Sequence, residues 1–443
     1  PAVVDAEAYH AFLVSELARR DGDTDAVLSE LERAIDHAPT EPALHLRMGS
    51  ARFADGDEAL GERHLQQARD LGAPEWEARL YEARGRAASG DTDAAVAAFA
   101  EPPPDEAPQS YFETWFSVAR EHGAESAQAA AAHYIEAYPD AYRAYRLAGL
   151  AALDADDLAE AAASFRAASE LPGASAWDAE QWVSALLAAD DEDAALRAAE
   201  DCLARYRESI TCFALSAALA PVESGESDDD VPTADEAIDR VARMTSGDRR
   251  AISHTGSVLR AYGDEARVRT YVLAVADLRP NNVASLMASA WVAHWSELPD
   301  LAIEVMERVL AVDEANFDSL NYIGYEWAER GIHLEQAEVY IREALFLRPG
   351  DPNIMDSLAW CYYRMGRYDE ALEVQLEAIE GSSENAVLWD HLGDIHYALG
   401  DEAAAIEAWE AALEWADEYD EDVLITVPVK IEAVRNGEPL PEV

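Results

Sequence analysis

Apolar positions along this chain recur on a helical period, and small residues recur on a much longer one. In the C-terminal half Gly256, Ala290, Gly324, Ala359 and Gly393 stand 34, 34, 35 and 34 residues apart. Each is followed by a small or apolar residue twelve or thirteen places on, another apolar residue four later and a third three after that; Gly393, Ala405, Trp409 and Ala412 show the full set. The register runs back to the N-terminus through Ser15, Gly49, Ala83, Trp115, Gly149 and Val183, at spacings of 34, 34, 32, 34 and 34. This pattern predicts about twelve helix pairs. Within a pair, the anchor on the first helix and the small residue on the second let two backbones approach, and the apolar residues beyond face the next pair. Neither helix buries its apolar stripe alone, so neighbour contacts supply the core. Trp115 stands where the other pairs carry small residues, so looser packing is expected at that junction.

The register fails once and stops once. Val183 and Gly256 are 73 residues apart, room for one further pair plus an insertion. Within that gap, 221–232 holds Glu223, Ser224, Gly225, Glu226, Ser227 and Asp228 to Asp230, an acidic run unsuited to a packed helix. The second helix of that pair is expected to resume near Ala234. The chain is therefore divided into an N-terminal array 1–220, an acidic loop insertion 221–233, a C-terminal array 234–415 and a capping segment with tail 416–443. The insertion is read as a solvated surface turn, with a partner-contacting or hinge loop as the alternative. In the last segment Val423 to Val434 is apolar enough to lie across the final pair, and Pro428 is expected to break or kink any single helix there.

With prolines closing units at Pro39, Pro139, Pro280 and Pro349, the 34-residue units resemble the tetratricopeptide repeat family over nearly the whole chain, most specifically from Asn316 to Trp415. That resemblance implies an all-α, right-handed superhelical solenoid of about twelve helix-turn-helix units with a C-terminal cap. It also implies a concave groove, lined by the first helix of each unit, that binds protein. The family's groove positions fall on Trp291, Trp295, Asn321, Tyr325, Asp356, Trp360, Tyr363, Asp390, Asp394 and Tyr397. Aromatic residues at helical spacing are often core, but the carboxylates and the amide beside them are expected to stay out of it. Such a groove implies an extended peptide or protein partner, basic or Pro-rich, with Asn321 bonding its backbone and the rings stacking on it. Family members that capture a chain-terminal carboxylate use Lys, Arg and Asn at successive groove positions. Asn321, Asp356 and Asp390 stand there instead, which disfavours that mode. The stretch Asp356 to Arg367, with Asn321 to Gly324, is similar to bacterial many-repeat proteins of the family, some of them outer-membrane lipoproteins that scaffold envelope machinery. This implies membership of a multiprotein complex, at the bacterial periplasm or the periplasmic face of the outer membrane ahead of the cytoplasm.

Charge narrows the partners. There are 89 acidic residues against 33 basic ones, a net charge of −56, and Lys430 is the one lysine. A surface of this sign repels phosphate backbones and anionic lipid, so no nucleic-acid partner is expected. Acidity of this kind serves either to attract a basic partner or to keep a protein hydrated in a high-salt interior or habitat. The even spread of carboxylates and the near absence of lysine favour the second. No run of eighteen apolar residues occurs, so no membrane span is expected, and no signal peptide or lipid-attachment motif is in view. Position 1 is proline, so a preceding segment is expected, and it would carry any cellular address.

Candidate chemistry adds little. Cys202, Cys212 and Cys361 are read as packed structural thiols, with a Cys202–Cys212 bridge as the alternative. The run Asp21 to Asp25 with Glu32 imitates a calcium loop, but Ala26 occupies the position that needs glycine. Like Gly90 to Asp93 and Gly400 to Glu402, it reads as a turn whose Asp or Thr caps the following helix. The histidines are scattered; His391 and His396 are five apart, off the spacing of a zinc pair. No phosphate loop, nucleophile elbow or paired Cys-x-x-Cys occurs. The expectation is no catalytic residue, metal or cofactor, and a non-catalytic interaction scaffold or adaptor. Two alternatives stand beside it. A structural subunit of a large, envelope-type assembly would carry apolar patches outside the groove; an enzyme would need two groove carboxylates within working reach in one pocket.

Overall fold

The computed structural model describes residues 6–99, 106–221, 233–418 and 420–440. Among these, every regular element is a helix, and the chain divides into two compact units, Pro1–Cys212 and Phe213–Val443. The first unit stacks the pairs α1 (Ala6–Arg20) with α2 (Thr24–His37), α3 (Pro42–Ala54) with α4 (Glu58–Asp70), and α5 (Glu75–Ala88) with α6 (Thr92–Ala97). It continues with α7 (Gln109–His122) and α8 (Ala124–Ala137), α9 (Tyr142–Asp154) and α10 (Leu158–Glu170), and α11 (Ala176–Ala188) and α12 (Glu192–Arg205). Helix α13 (Ile210–Leu219) crosses the boundary and is followed by α14 (Ala234–Thr245). The second unit then pairs α15 (Arg249–Tyr262) with α16 (Glu265–Leu278), α17 (Val283–Trp295) with α18 (Pro299–Val312), and α19 (Phe317–Glu329) with α20 (Leu334–Leu347). It ends with α21 (Pro352–Arg364) and α22 (Tyr368–Gly381), α23 (Ala386–Ala398) and α24 (Glu402–Trp415), and a lone α25 (Glu421–Asn436). The residues 222–232, which hold the acidic run, lie outside the described part.

The small-residue ladder works as the sequence predicts, with one refinement. A Cβ on Gly49 would lie 2.6 Å from Leu65 and 3.2 Å from the Gly61 carbonyl oxygen, and one on Gly149 would lie 2.8 Å from Phe165. Gly49 and Gly149 thus face a large residue sixteen places on within their own pairs, whereas Gly324 meets Ile341, seventeen on, and Gly256 meets Val292 of the following pair. Glycine contacts of this closeness leave no room for a methyl group. At Trp115 the expected looseness is absent. Its ring is 5% exposed and stacks on Phe99 at 5.6 Å and His133 at 4.9 Å, while the residue sixteen places on is Ala131, itself buried. Bulk has moved from the second helix to the first. Val183 and Ala199, both fully buried, repeat the exchange.

The calcium-like runs are helix starts. Gly22, Gly90 and Gly400 take φ of 74°, 83° and 83°, and Asp23, Asp91 and Asp401 accept hydrogen bonds from the amides of Ala26, Ala94 and Ala404. Each carboxylate answers an amide that the helix leaves unpaired.

Two expectations are corrected. Cys202 and Cys212 are not free thiols: a disulfide joins them, with Cα atoms 5.4 Å apart, and ties α12 to α13. The bridge forms because the turn between the two helices returns Cys212 to the buried face that carries Cys202. Cys361 is free and buried as predicted, and burial pushes its thiol up to about 11. Pro428 does not break α25, which runs sixteen residues through it. Pro428 itself is exposed, so the carbonyl that it leaves unbonded can turn to water, while Val423, Val427, Ile431 and Val434 bury the opposite face against Trp409 and Ala412.

Candidate functional site

The candidate groove residues sit on the first helices of the second unit, and the structure sorts them into two groups. Four of the ten gather around one cleft of about 320 Å³: Trp291 from α17, Asn321 and Tyr325 from α19, and Asp356 from α21. Phe317, Asp318, Asp351, Asn353 and His391 also line it, with neither arginine nor lysine among its lining residues. Trp291 is held edge-on to His294 at 5.3 Å and Tyr322 at 5.7 Å, and the Tyr322 hydroxyl lies 3.2 Å from His294 Nδ1. Asn321 Oδ1 is buried without a hydrogen-bond partner. An acceptor left in this state favours a donor arriving from outside. Asp318 stands exposed at the cleft's edge, and the desolvation it meets there raises its pKa against the pull of Arg348. Burial likewise raises the hydroxyls of Tyr322 and Tyr325, which stay protonated as donors. Trp295 projects from the same helix as Trp291, 66% exposed.

Most of the others turn inward, Asp356 belongs to both cleft and core, and the premise that carboxylates avoid the core fails. Asp356 and Asp394 are buried at 6% and 7% exposure because each has charged or amide partners. Asp356 Oδ1 accepts from Gln375 Nε2 at 2.7 Å and lies 2.8 Å from His391 Nδ1; Gln375 Nε2 also donates to the Leu388 carbonyl at 2.7 Å. The His391 ring stacks on Trp360 at 4.3 Å, and Trp360 stacks on Tyr363 at 4.7 Å while its indole N–H donates to Glu329 at 2.5 Å. Asp390 and Asp394 take the two ends of one cation, Lys430 of α25, at 2.7 Å and 2.9 Å. Trp409 Nε1 donates to Asp394 at 3.2 Å, and Tyr397 lies against the Trp409 ring at 6.2 Å. For Lys430 burial opposes the charge, but Asp394 and Asp390 outweigh it and raise its pKa.

Gln375, His391 and Lys430 were not singled out from the sequence as site residues. Gln375 had a legible signal, for it fills the position sixteen after Ala359, where other pairs place Leu31, Leu65, Phe165, Met306 or Trp409. A polar residue at a core register position announces a buried partner. Lys430 had another, as the one lysine of the chain.

The floor of the cleft is a pH-sensitive support. Burial works against charge on His391, yet Asp356 at contact distance, with Asp390 and Asp394 behind, lifts its pKa to about 9. A raised folded-state pKa gives stability that is complete below the ordinary histidine value of about 6.5 and is lost as pH rises through about 9. Denaturant titrations followed by tryptophan fluorescence should therefore show the second unit weakening between about pH 7 and 9.5, by up to about 3 kcal/mol. In His391→Gln that slope should disappear; an unchanged slope would show that His391 is not its source.

The family model for the tetratricopeptide repeat matches residues 353–383 and 386–419, which are the pairs α21 with α22 and α23 with α24. Those residues carry two tetratricopeptide repeats. A TPR repeat-containing protein of Pseudomonas aeruginosa is 34% identical to it over 86 residues, 19% of this chain and 14% of the relative. Human tetratricopeptide repeat protein 7B is 31% identical over 93 residues, 21% of this chain and 11% of the relative. The match thus spans only about a seventh or a ninth of these relatives' own length. Among solved structures, Naa15/Naa10 bound to HypK-THB is similar over 97% of this chain and 68% of that one, with a TM-score of 0.45 and 15% identity. A thermophilic tetratricopeptide repeat protein of Thermus thermophilus is similar over 41% of this chain and 97% of that one, with a TM-score of 0.34 and 17% identity. No helix among the described residues is long and apolar enough to cross a membrane.

Proposed function

We propose that this protein is a non-catalytic interaction scaffold whose second unit holds an extended, basic segment of a partner protein in the cleft between α17, α19, α21 and α23. The observation that carries this reading is the buried, unpartnered Asn321 Oδ1 in a cleft lined by Trp291, Tyr325, Asp318, Asp351 and Asp356. Asn321 Oδ1 accepts a backbone N–H of the segment, Trp291 and Tyr325 pack on its side chains, and the carboxylates favour Arg or Lys. Asp356 is already bonded to Gln375 and His391, so Asp318 is the carboxylate freest to meet the ligand.

A second reading, a structural subunit of a larger assembly, is favoured by an apolar ridge outside that cleft. Met244, Leu278, Val312 and Phe346 end the second helices of four consecutive pairs at spacings of 34, and their exposures are 41%, 38%, 42% and 81%. Trp415, 41% exposed, holds the corresponding place at the end of α24.

One experiment separates the two. Affinity purification from the native organism with mass spectrometry, using wild type, Trp291→Ala with Asn321→Ala, and Phe346→Ser, should show the first variant losing a partner about tenfold, the loss expected for one charge-assisted or buried hydrogen bond with its packing. Phe346→Ser should retain it. The reverse pattern favours the assembly reading, and retention by the cleft variant would sink the scaffold reading as placed here. Circular dichroism controls for folding.

A further inference from the structure

The basic residues of this acidic chain are not evenly spread. Between residues 240 and 279 there are eight arginines and four acidic residues, Asp248, Asp264, Glu265 and Asp277, a local charge of +4 in a chain of −56. The centre of this island is α15, which contains no carboxylate; nor does its neighbour α17. Between them lies a second cleft of about 350 Å³, lined by Ser253, Gly256, Ser257, Arg260, Trp291, Val292, Trp295 and Ser296. A Cβ on Gly256 would overlap Val292, so the two helices approach closely at its floor. Three features give the cleft its chemistry. Arg260 is held at its rim by donating from Nη1 to the Trp295 carbonyl at 2.6 Å, and among the described residues no carboxylate ion-pairs with it. The hydroxyls of Ser253, Ser257 and Ser296 donate to the carbonyls of Arg249, Ser253 and Val292, so the guanidinium is the cleft's free charged donor. Arg249 lies eleven residues before Arg260, three helical turns along the same face of α15, and likewise forms no ion pair among the described residues.

Trp291 lines this cleft and also the acidic one between α17, α19, α21 and α23. Two pockets of opposite sign therefore meet at one indole. We infer that the partner segment is bipolar: an acidic side chain enters the α15–α17 cleft beside Arg260, and a basic side chain enters the cleft of Asp318, Asp351 and Asn321. The inference rests on the peptide-binding reading above and adds to it the sequence and direction of the ligand. Neighbouring helix axes lie about 10 Å apart, and an extended chain advances about 3.3 Å per residue, so the two charges should be separated by about three residues. The two residues between them lie over Trp291, with Trp295 on the acidic-side flank, which suits apolar or proline side chains. The opposite signs of the clefts reject the reversed segment, because each of its charges would meet its like.

The test is selection of a random peptide library, displayed on phage, against the full chain as wild type, Arg260→Glu and Asp318→Asn. Wild type should select peptides with an acidic and a basic residue about three apart in one order. Arg260→Glu should lose the acidic preference, or replace it with a basic one, and keep the other; Asp318→Asn should weaken the basic preference and keep the acidic one. Synthetic peptides from the wild-type selection should bind Arg260→Glu about fivefold or more weakly by fluorescence anisotropy, and the loss should shrink with added salt, as for an exposed charge pair. Peptides indistinguishable between wild type and Arg260→Glu would overturn the bipolar ligand while leaving the cleft intact. Wild-type selection that Asn321→Ala does not alter would overturn the peptide-binding reading itself, and this inference with it.

Discussion

Replacing Lys430 by methionine should destabilise the second unit by about 3 to 5 kcal/mol, the usual cost of removing one partner from a buried ion pair. Lys430 is 6% exposed, and its ammonium is the cation that Asp390 and Asp394 share. Without it two carboxylates face each other beneath α25, and one must take up a proton or draw water into the apolar contact of Val427 and Ile431. The loss should appear as a lower denaturant midpoint and as faster amide exchange in α23 and α25. The triple variant Lys430→Met, Asp390→Asn, Asp394→Asn should recover most of it, since an uncharged set of similar shape no longer strands a charge. If Lys430→Met alone leaves both measurements unchanged, the triad is not what holds the cap.

Trp409→Ala should cost about 4 kcal/mol, the range for emptying a fully buried aromatic site. The indole fills the space opened by Gly393, touches the cap residues and donates to Asp394, so its removal leaves a cavity and an unbonded carboxylate oxygen. Gly393→Ala should cost about 1 to 3 kcal/mol for the opposite reason, because its methyl group has no space beside the indole. The informative variant is the double one: Gly393→Leu with Trp409→Ala should be more stable than Trp409→Ala alone, because Trp115 with Ala131 shows the same pair holding its bulk on the first helix. Thermal or denaturant unfolding reads all three. A double variant weaker than Trp409→Ala would mean that the two positions do not exchange volume.

Much of the fold was legible because its cause is periodic. Gly49, Gly149, Gly324 and Gly393 each mark a close approach that only the smallest residue permits, and the interval between them gives the helix pairs directly. What stayed hidden depends on partners far apart in the chain. Asp356 looked like a surface carboxylate until Gln375 and His391, 19 and 35 residues on, closed around it. Asp390 and Asp394 looked free until α25 brought Lys430 back from 40 and 36 residues away. Periodicity ranks positions by face, but it does not pair polar groups between helices. The same limit applied to the cysteines: that Cys202 lay on a packed face was readable, but the bond to Cys212 required the turn that returns α13. For the cleft, the groove positions named Trp291, Asn321, Tyr325 and Asp356, and the structure brings these four to the lining of one pocket. The positive side of Trp291 comes from α15, a helix that the groove positions did not single out.

The exchange of bulk between Trp115 and Ala131, and between Val183 and Ala199, has a consequence for how this chain changes over time. Where two facing positions share a fixed volume, a single replacement at either one leaves a hole or a clash, while a matched replacement at both leaves the stack intact. Substitutions along the array should accordingly accumulate in couples sixteen residues apart. Two repeats can then share no residue at these positions and still pack in the same way.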